Sequence, residues 1–228
     1  MDIILIPGLW LDASSWDDVS PALTRAGHHV HALTLPGVGG PPSDIRLSDW
    51  VAAVTAKMDE LGGPLVLVGH SGGGNVAWAA ADARPDRVAR VVLIDTIPPA
   101  PGSSISEFPV VDGVVPFPGW DFFPESDVHD LDAATRARTA PLTRSVPARV
   151  PTDPVRLTSA RRFTVPVTLL MGSYGQSEFE AEVSEWGPYG DEYRSIADAA
   201  VTTIGSGHWP QFSVPGRLGD LIAQAVSG

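Results

Sequence analysis

The run Leu65-Val66-Leu67-Val68-Gly69-His70-Ser71-Gly72-Gly73-Gly74 constrains this chain more than any other stretch. Four consecutive apolar residues after Gly62-Gly63-Pro64 suit a strand buried on both faces of a parallel sheet. The glycines end that strand, and residues 75–83 are rich in helix formers, so Ser71 falls where a strand turns sharply into a helix. Such a turn forces unusual backbone angles on its central residue. Gly69 and Gly73 leave out the side chains that would collide across it. The pattern Gly-x-Ser-x-Gly also recurs by chance, so it is the strand before and the helix after that carry the reading.

The same alternation runs along the rest of the chain. Residues 3–6 form a first buried strand, which leaves through Pro7-Gly8-Leu9-Trp10 at the end of the sheet where ligands gather in open parallel sheets. Ser15-Trp16-Asp17-Asp18 has capping-box spacing for a helix along Trp16, Val19, Leu23 and Ala26, with Pro21 in its first turns or kinking it and Gly27 closing it. Further strands are expected at residues 30–35, 88–94, 165–171 and 201–204. Leu47, Val51, Val54, Met58 and Leu61 give one helix its buried face, and Val214, Leu218, Leu221, Ile222 and Ala225 do so for the last. The result is an α/β fold around a mostly parallel sheet of about six strands flanked by helices.

Between residues 96 and 162 the periodicity fails, and prolines alternate with Phe108, Phe117, Trp120, Phe122 and Phe123. That length is too great for a structureless loop. It reads as a cap insertion with one or two short helices, one near residues 132–140, whose aromatics line a pocket or anchor the cap to the body. The chain thus divides into a first core part at 1–95, a cap at 96–162 and a second core part at 163–228.

Composition narrows the partners. With 228 residues and 43% hydrophobic content the chain suits one globular domain with a sizeable core. A formal net charge of -12 argues against nucleic acid or an anionic membrane, which leaves a small molecule as the expected partner; oligomeric state stays open. The absence of cysteine excludes disulfides, thiol catalysis and thiolate metal sites. The first apolar run is too short to span a membrane and lacks the basic start of a signal peptide, so a cytoplasmic location is expected. Fourteen arginines against the single Lys57, with abundant Ala and Pro, suggest a high-GC bacterial genome. His28, His29 and His31 lie on an extended segment rather than at helical i, i+4 spacing and read as strand-edge residues, so no metal is expected.

Taken in order, a strand then Pro-Gly-Leu-Trp, a strand then Gly-His-Ser-Gly-Gly-Gly, a cap, and Ser206-Gly207-His208-Trp209 near the end resemble the α/β-hydrolase superfamily over nearly the whole chain. The resemblance implies the α/β-hydrolase fold without its N-terminal antiparallel hairpin. It implies Ser71 as nucleophile, His208 as base, and the amides of Leu9 and Gly72 as the oxyanion hole. Pro7 replaces the histidine that commonly opens the first turn, which leaves backbone donors unaffected. His70 is taken as structural. The acid departs from the usual pattern, because the turn after residue 171 carries no carboxylate until Glu178. A variant of the superfamily places it at the end of the preceding strand, where Asp95 stands. Glu178, Glu180 or no conventional acid are the alternatives.

The first-turn Trp and compact core also look like the methylesterase and hydroxynitrile lyase branch. What the resemblance implies is hydrolysis of a carboxylic ester or lactone of a small, moderately hydrophobic molecule without a cofactor, in a pocket of Trp10, His70, Trp120, Phe123 and Trp209. A lyase or acyltransferase using the same residues, or a receptor that kept the pocket and lost turnover, are the other readings.

Overall fold

The computed structural model describes residues 1–227. Its strands and helices follow in the order β1 (Asp2–Ile6), α1 (Ser20–Arg25), β2 (His29–Ala32), α2 (Leu47–Leu61), β3 (Leu65–His70), α3 (Gly72–Ala83) and β4 (Val88–Ile94). The segment that follows holds β5 (Val114–Val115), α4 (Glu125–Val128), α5 (Ala133–Thr139) and β6 (Val146–Pro147). Then come β7 (Val167–Met171), α6 (Gln176–Glu182), α7 (Pro188–Arg194), β8 (Ala199–Thr203), α8 (Pro210–Ser213) and α9 (Pro215–Ser227). The main sheet has six strands in the order β2-β1-β3-β4-β7-β8, and every pair in it is parallel, so the expected sheet is wholly rather than mostly parallel.

Period-two alternation sorts each central strand into two cores. Ile4, Ile6, Leu65, Leu67, Val91 and Leu93 face α2 and α3, where Trp50, Val54, Met58 and Trp78 are buried. Ile3, Leu5, Val66, Val68, Val92 and Ile94 face the other way, against Trp16, Leu23, Leu218 and Ile222. Both faces being covered explains why these strands read as unbroken apolar runs. No helix among the described residues is long and apolar enough to cross a membrane.

Several expectations shift. The capping-box at Ser15 does not form: a 3-10 turn runs from Ala13 to Trp16, capped by the Asp12 side chain, which accepts from the Ser14 amide. The α-helix begins later, with Pro21 in its first turn, where a missing amide hydrogen costs nothing. β2 ends at Ala32 rather than residue 35. In α2, Trp50 takes a core position, its indole donating to the Pro36 carbonyl at 2.8 Å, while Val51 and Leu61 are only half-buried. The helices α6 and α7 were not expected. Their apolar stripe is short, and α6 starts where the Glu178 carboxylate accepts the Gly175 amide.

Between β4 and β7 the chain crosses the C-terminal end of the sheet. There α5 is capped by Asp132, which accepts the Thr135 amide at 2.7 Å. β5 and β6 pair antiparallel. Leu11, Trp120, Val128, Leu131, Trp209 and Phe212 form a third apolar cluster, which joins this segment to the turns after β1 and β8.

Candidate active site

Ser71 has φ 50° and ψ −125°, at the junction of β3 and α3. The strain is enforced from both sides. A Cβ at Gly69 would lie 2.6 Å from the Gly73 carbonyl oxygen, and one at Gly73 would lie 2.6 Å from that of Ile6. Only glycine lets α3 start this close to β1 and β3. Of the four described non-glycine residues with left-handed φ, three are Trp10, Ser71 and Asp95. Strain of this kind, on the order of 1–3 kcal/mol per residue, gathers at functional sites.

The structure brings three of the sequence candidates into one line. His208 Nε2 is 2.9 Å from Ser71 Oγ, and His208 Nδ1 is 2.6 Å from Asp95 Oδ2. Facing a carboxylate, Nδ1 carries the proton, which leaves Nε2 as the acceptor for the serine hydroxyl. The second Asp95 oxygen accepts the Gly172 amide at 2.9 Å. Burial works to raise the Asp95 pKa, but the hydrogen bond from His208, the charge of that ring and the Gly172 amide together outweigh it and hold the carboxyl below its usual 3.8. Gly172 occupies the turn after β7, and a Cβ there would meet the Ser206 carbonyl at 2.7 Å and Asp95 Oδ1 at 3.1 Å. At Gly172 itself there is no room for a side chain, because the Ser206 carbonyl and then the Asp95 carboxylate fill that space.

The two glutamates weighed against Asp95 are engaged elsewhere. Glu178 accepts the Gly175 amide at the start of α6, and Glu180 is bonded to Gln176. The amides of Leu9 and Gly72 have no acceptor among the described residues, and both residues border the cavity or its serine. His70 is only 1% exposed and donates Nε2–H to the His208 carbonyl at 2.7 Å, while its Nδ1 meets the Gln211 amide at 3.2 Å. Burial, and then the charge of His208, push its pKa down to about 3, so it is neutral.

A cavity of about 260 Å³ opens over Ser71, lined by Leu9, Trp10, His70, Phe123, His208 and Trp209 among others. Trp120 is not in its wall, which corrects its assignment as a pocket residue. Its ring packs edge-on against Trp209 at 5.1 Å, in the apolar cluster behind the cavity, and its indole donates to the Arg136 carbonyl. Ile105, Ser106, Phe108, Phe122 and Asp127 complete the wall. Phe108 and Phe122 were visible as aromatics of the inserted segment. Nothing local marked Ile105, Ser106 or Asp127.

A family model described as the alpha/beta hydrolase family matches residues 3–221. The chain belongs to this family. Among curated relatives, a pyrethroid hydrolase of Sphingobium wenxiniae is 34% identical over 112 residues, 47% of this chain and 40% of that protein. The lipase LipV of Mycobacterium tuberculosis is 46% identical over 104 residues, 42% of this chain and 39% of that protein. The matched stretches thus span about two-fifths of the length of these relatives. An extracellular alpha/beta-hydrolase from a Paenibacillus species superposes with a TM-score of 0.80 over 99% of this chain and 98% of its own, at 19% identity. A methylesterase from Arabidopsis does so at 0.75 over 100% and 99%, at 20% identity. These two likenesses establish the shared fold.

Proposed function

We propose that this α/β hydrolase cleaves a carboxylic ester or lactone of a small, moderately hydrophobic, uncharged molecule through an acyl-enzyme on Ser71. The observation that carries the reading is the unbroken hydrogen-bonded line from Ser71 Oγ through His208 to Asp95, at a cavity whose wall Ser71 shares with Leu9. His208 Nε2 takes the hydroxyl proton as Ser71 Oγ attacks the substrate carbonyl carbon. The amides of Leu9 and Gly72 receive the oxygen as it becomes negative. His208 then returns the proton to the leaving alcohol. In the second half it draws a proton from water, whose oxygen attacks the acyl carbon, and returns that proton to Ser71 Oγ as the ester bond to the serine breaks and the acid leaves. Asp95 keeps Nδ1 protonated and offsets the imidazolium charge that appears in both halves.

Cavity size and lining support the substrate class. At about 260 Å³ the cavity falls at the small end of the roughly 300–1,000 Å³ of small-molecule sites. Trp10, Phe108, Phe122, Phe123 and Trp209 favour an apolar or ring-bearing group, and no lysine or arginine faces it to receive an anion. The named ester-cleaving relatives agree with this chemistry.

Purified protein should hydrolyse short p-nitrophenyl and aryl esters in preference to palmitoyl esters, and a fluorophosphonate should label it once. Ser71→Ala should lose both reactions. A wild-type protein that neither labels nor hydrolyses any of these esters would refute the reading. Products formed without uptake of water would assign the same residues to lyase or acyl-transfer chemistry instead.

A further inference from the structure

The proposed base sits on a loop with no regular structure, Ser206-Gly207-His208, between β8 and α8. Its reach to Ser71 therefore depends on what grips its backbone. On one side the His70 ring donates to the His208 carbonyl at 2.7 Å. On the other, both amides are held by the segment that covers the cavity: His208 N–H donates to the Asp127 carbonyl at 2.8 Å, and Gly207 N–H donates to Asp130 Oδ2 at 2.8 Å.

We propose that Asp130 is a positioning residue for His208, fastening the base-bearing loop to the cavity cover so that Nε2 stays within reach of Ser71. This rests on the proposed serine mechanism for its kinetic consequence but not for its geometry. The carboxylate spends one oxygen on Gly207, while Oδ1 is buried without a partner among the described residues. A buried, unpartnered carboxylate oxygen opposes folding and adds nothing to a surface turn. A charged acceptor nevertheless holds an amide more firmly than a neutral one does. Gly207 is shaped for this contact: a Cβ there would lie 2.6 Å from Asp130 Oδ1 and would press on the Asp127 carbonyl. Asp127 also lines the cavity, as do Phe122 and Phe123 just before it. The turn that holds the base thus touches the space where substrate would lie. Misplacing a reacting group by about 1 Å costs on the order of a hundredfold in rate.

The test compares Asp130→Ala, Asp130→Asn and Asp132→Ala. Asp132 caps α5 through Thr135 and serves as a control for loss of stability in the same segment. Asp130→Ala should lower kcat on a p-nitrophenyl ester and the rate of fluorophosphonate labelling by about 10- to 100-fold, with KM within about threefold. Asp130→Asn, which keeps an acceptor oxygen, should recover most of the loss, and Asp132→Ala should lower Tm while leaving kcat within about threefold. Proton NMR supplies a readout independent of turnover: the far-downfield His208 Nδ1–H signal should broaden or vanish in Asp130→Ala and persist in Asp132→Ala. Should Asp130→Ala not fold, Asp130→Ser, too short to reach Gly207, takes its place. An unchanged downfield proton in the folded variant, or parallel losses in Asp130→Ala and Asp132→Ala, would overturn the proposal. A wild type without esterase activity or labelling defeats only the functional reading, because the proton signal still tests the positioning.

Discussion

Asp95 satisfies two donors at once, the His208 imidazole and the Gly172 amide, and its backbone takes the left-handed φ of 45° to do so. Its folded pKa is below the unfolded value near 3.8. The stabilisation this brings is therefore present above that value and is lost as pH falls through the folded one. Asp95→Asn removes the charge that fixes the His208 tautomer, and kcat on an aryl ester should fall by about three to four orders of magnitude, whereas Glu178→Gln should leave it unchanged. His70 gives a pH signature of the opposite group type. Its imidazole is neutral when folded down to about pH 3 but protonates near 6.5 when unfolded, so the unfolded state binds the extra proton between those values. This group's contribution to stability is complete above 6.5 and declines on acidification by up to about 1.4 kcal/mol per pH unit. Urea midpoints of wild type and His70→Gln, measured from pH 7 to 4, should converge as pH falls.

The strand-turn-helix element from β3 to α3 is where local sequence and site geometry coincide. Strand, turn and helix were legible because an apolar run, three glycines and an alanine-rich stretch each dictate a local conformation. The close approach of α3 to β1 was not, since it depends on residues more than 60 positions apart. Gly73→Ala would force a methyl group against the Ile6 and Pro7 carbonyls, and chemical denaturation should register a loss of about 3 kcal/mol or an unfolded chain. The later elements were less legible. β7 announced itself as an apolar run and β8 only as the short stretch Val201-Thr202-Thr203-Ile204, which the structure moves to Ala199–Thr203, whereas α6 and α7 carry few apolar residues and pack through Phe179 and Tyr193, with ring centroids 4.9 Å apart.

At the scale of the whole molecule, the cover of the cavity returns to the core through a buried ionic cluster. Arg162 bonds Glu192 on α7 at 2.6 Å and Asp82 on α3 at 3.2 Å. Asp82 also accepts the amides of Thr158 and Ser159 at 2.9 Å, and Glu192 accepts the Trp78 indole at 2.8 Å. The three charged side chains are each no more than 8% exposed. Arg162→Met would strand two buried carboxylates and should cost about 3–5 kcal/mol in denaturant unfolding, although the site lies elsewhere. By itself the sequence determined the alternation of strands and helices, the serine at its turn and the late histidine, because periodicity, glycine spacing and chain order are local properties. Only the tertiary structure decided which carboxylate meets that histidine and which aromatics line the cavity. Those follow from the parallel register that sets Ile94 opposite Leu170 and so carries Asp95 to the amide of Gly172, 77 residues away, and from the packing that turns Trp120 behind Trp209 while Phe108 and Phe122 face the serine.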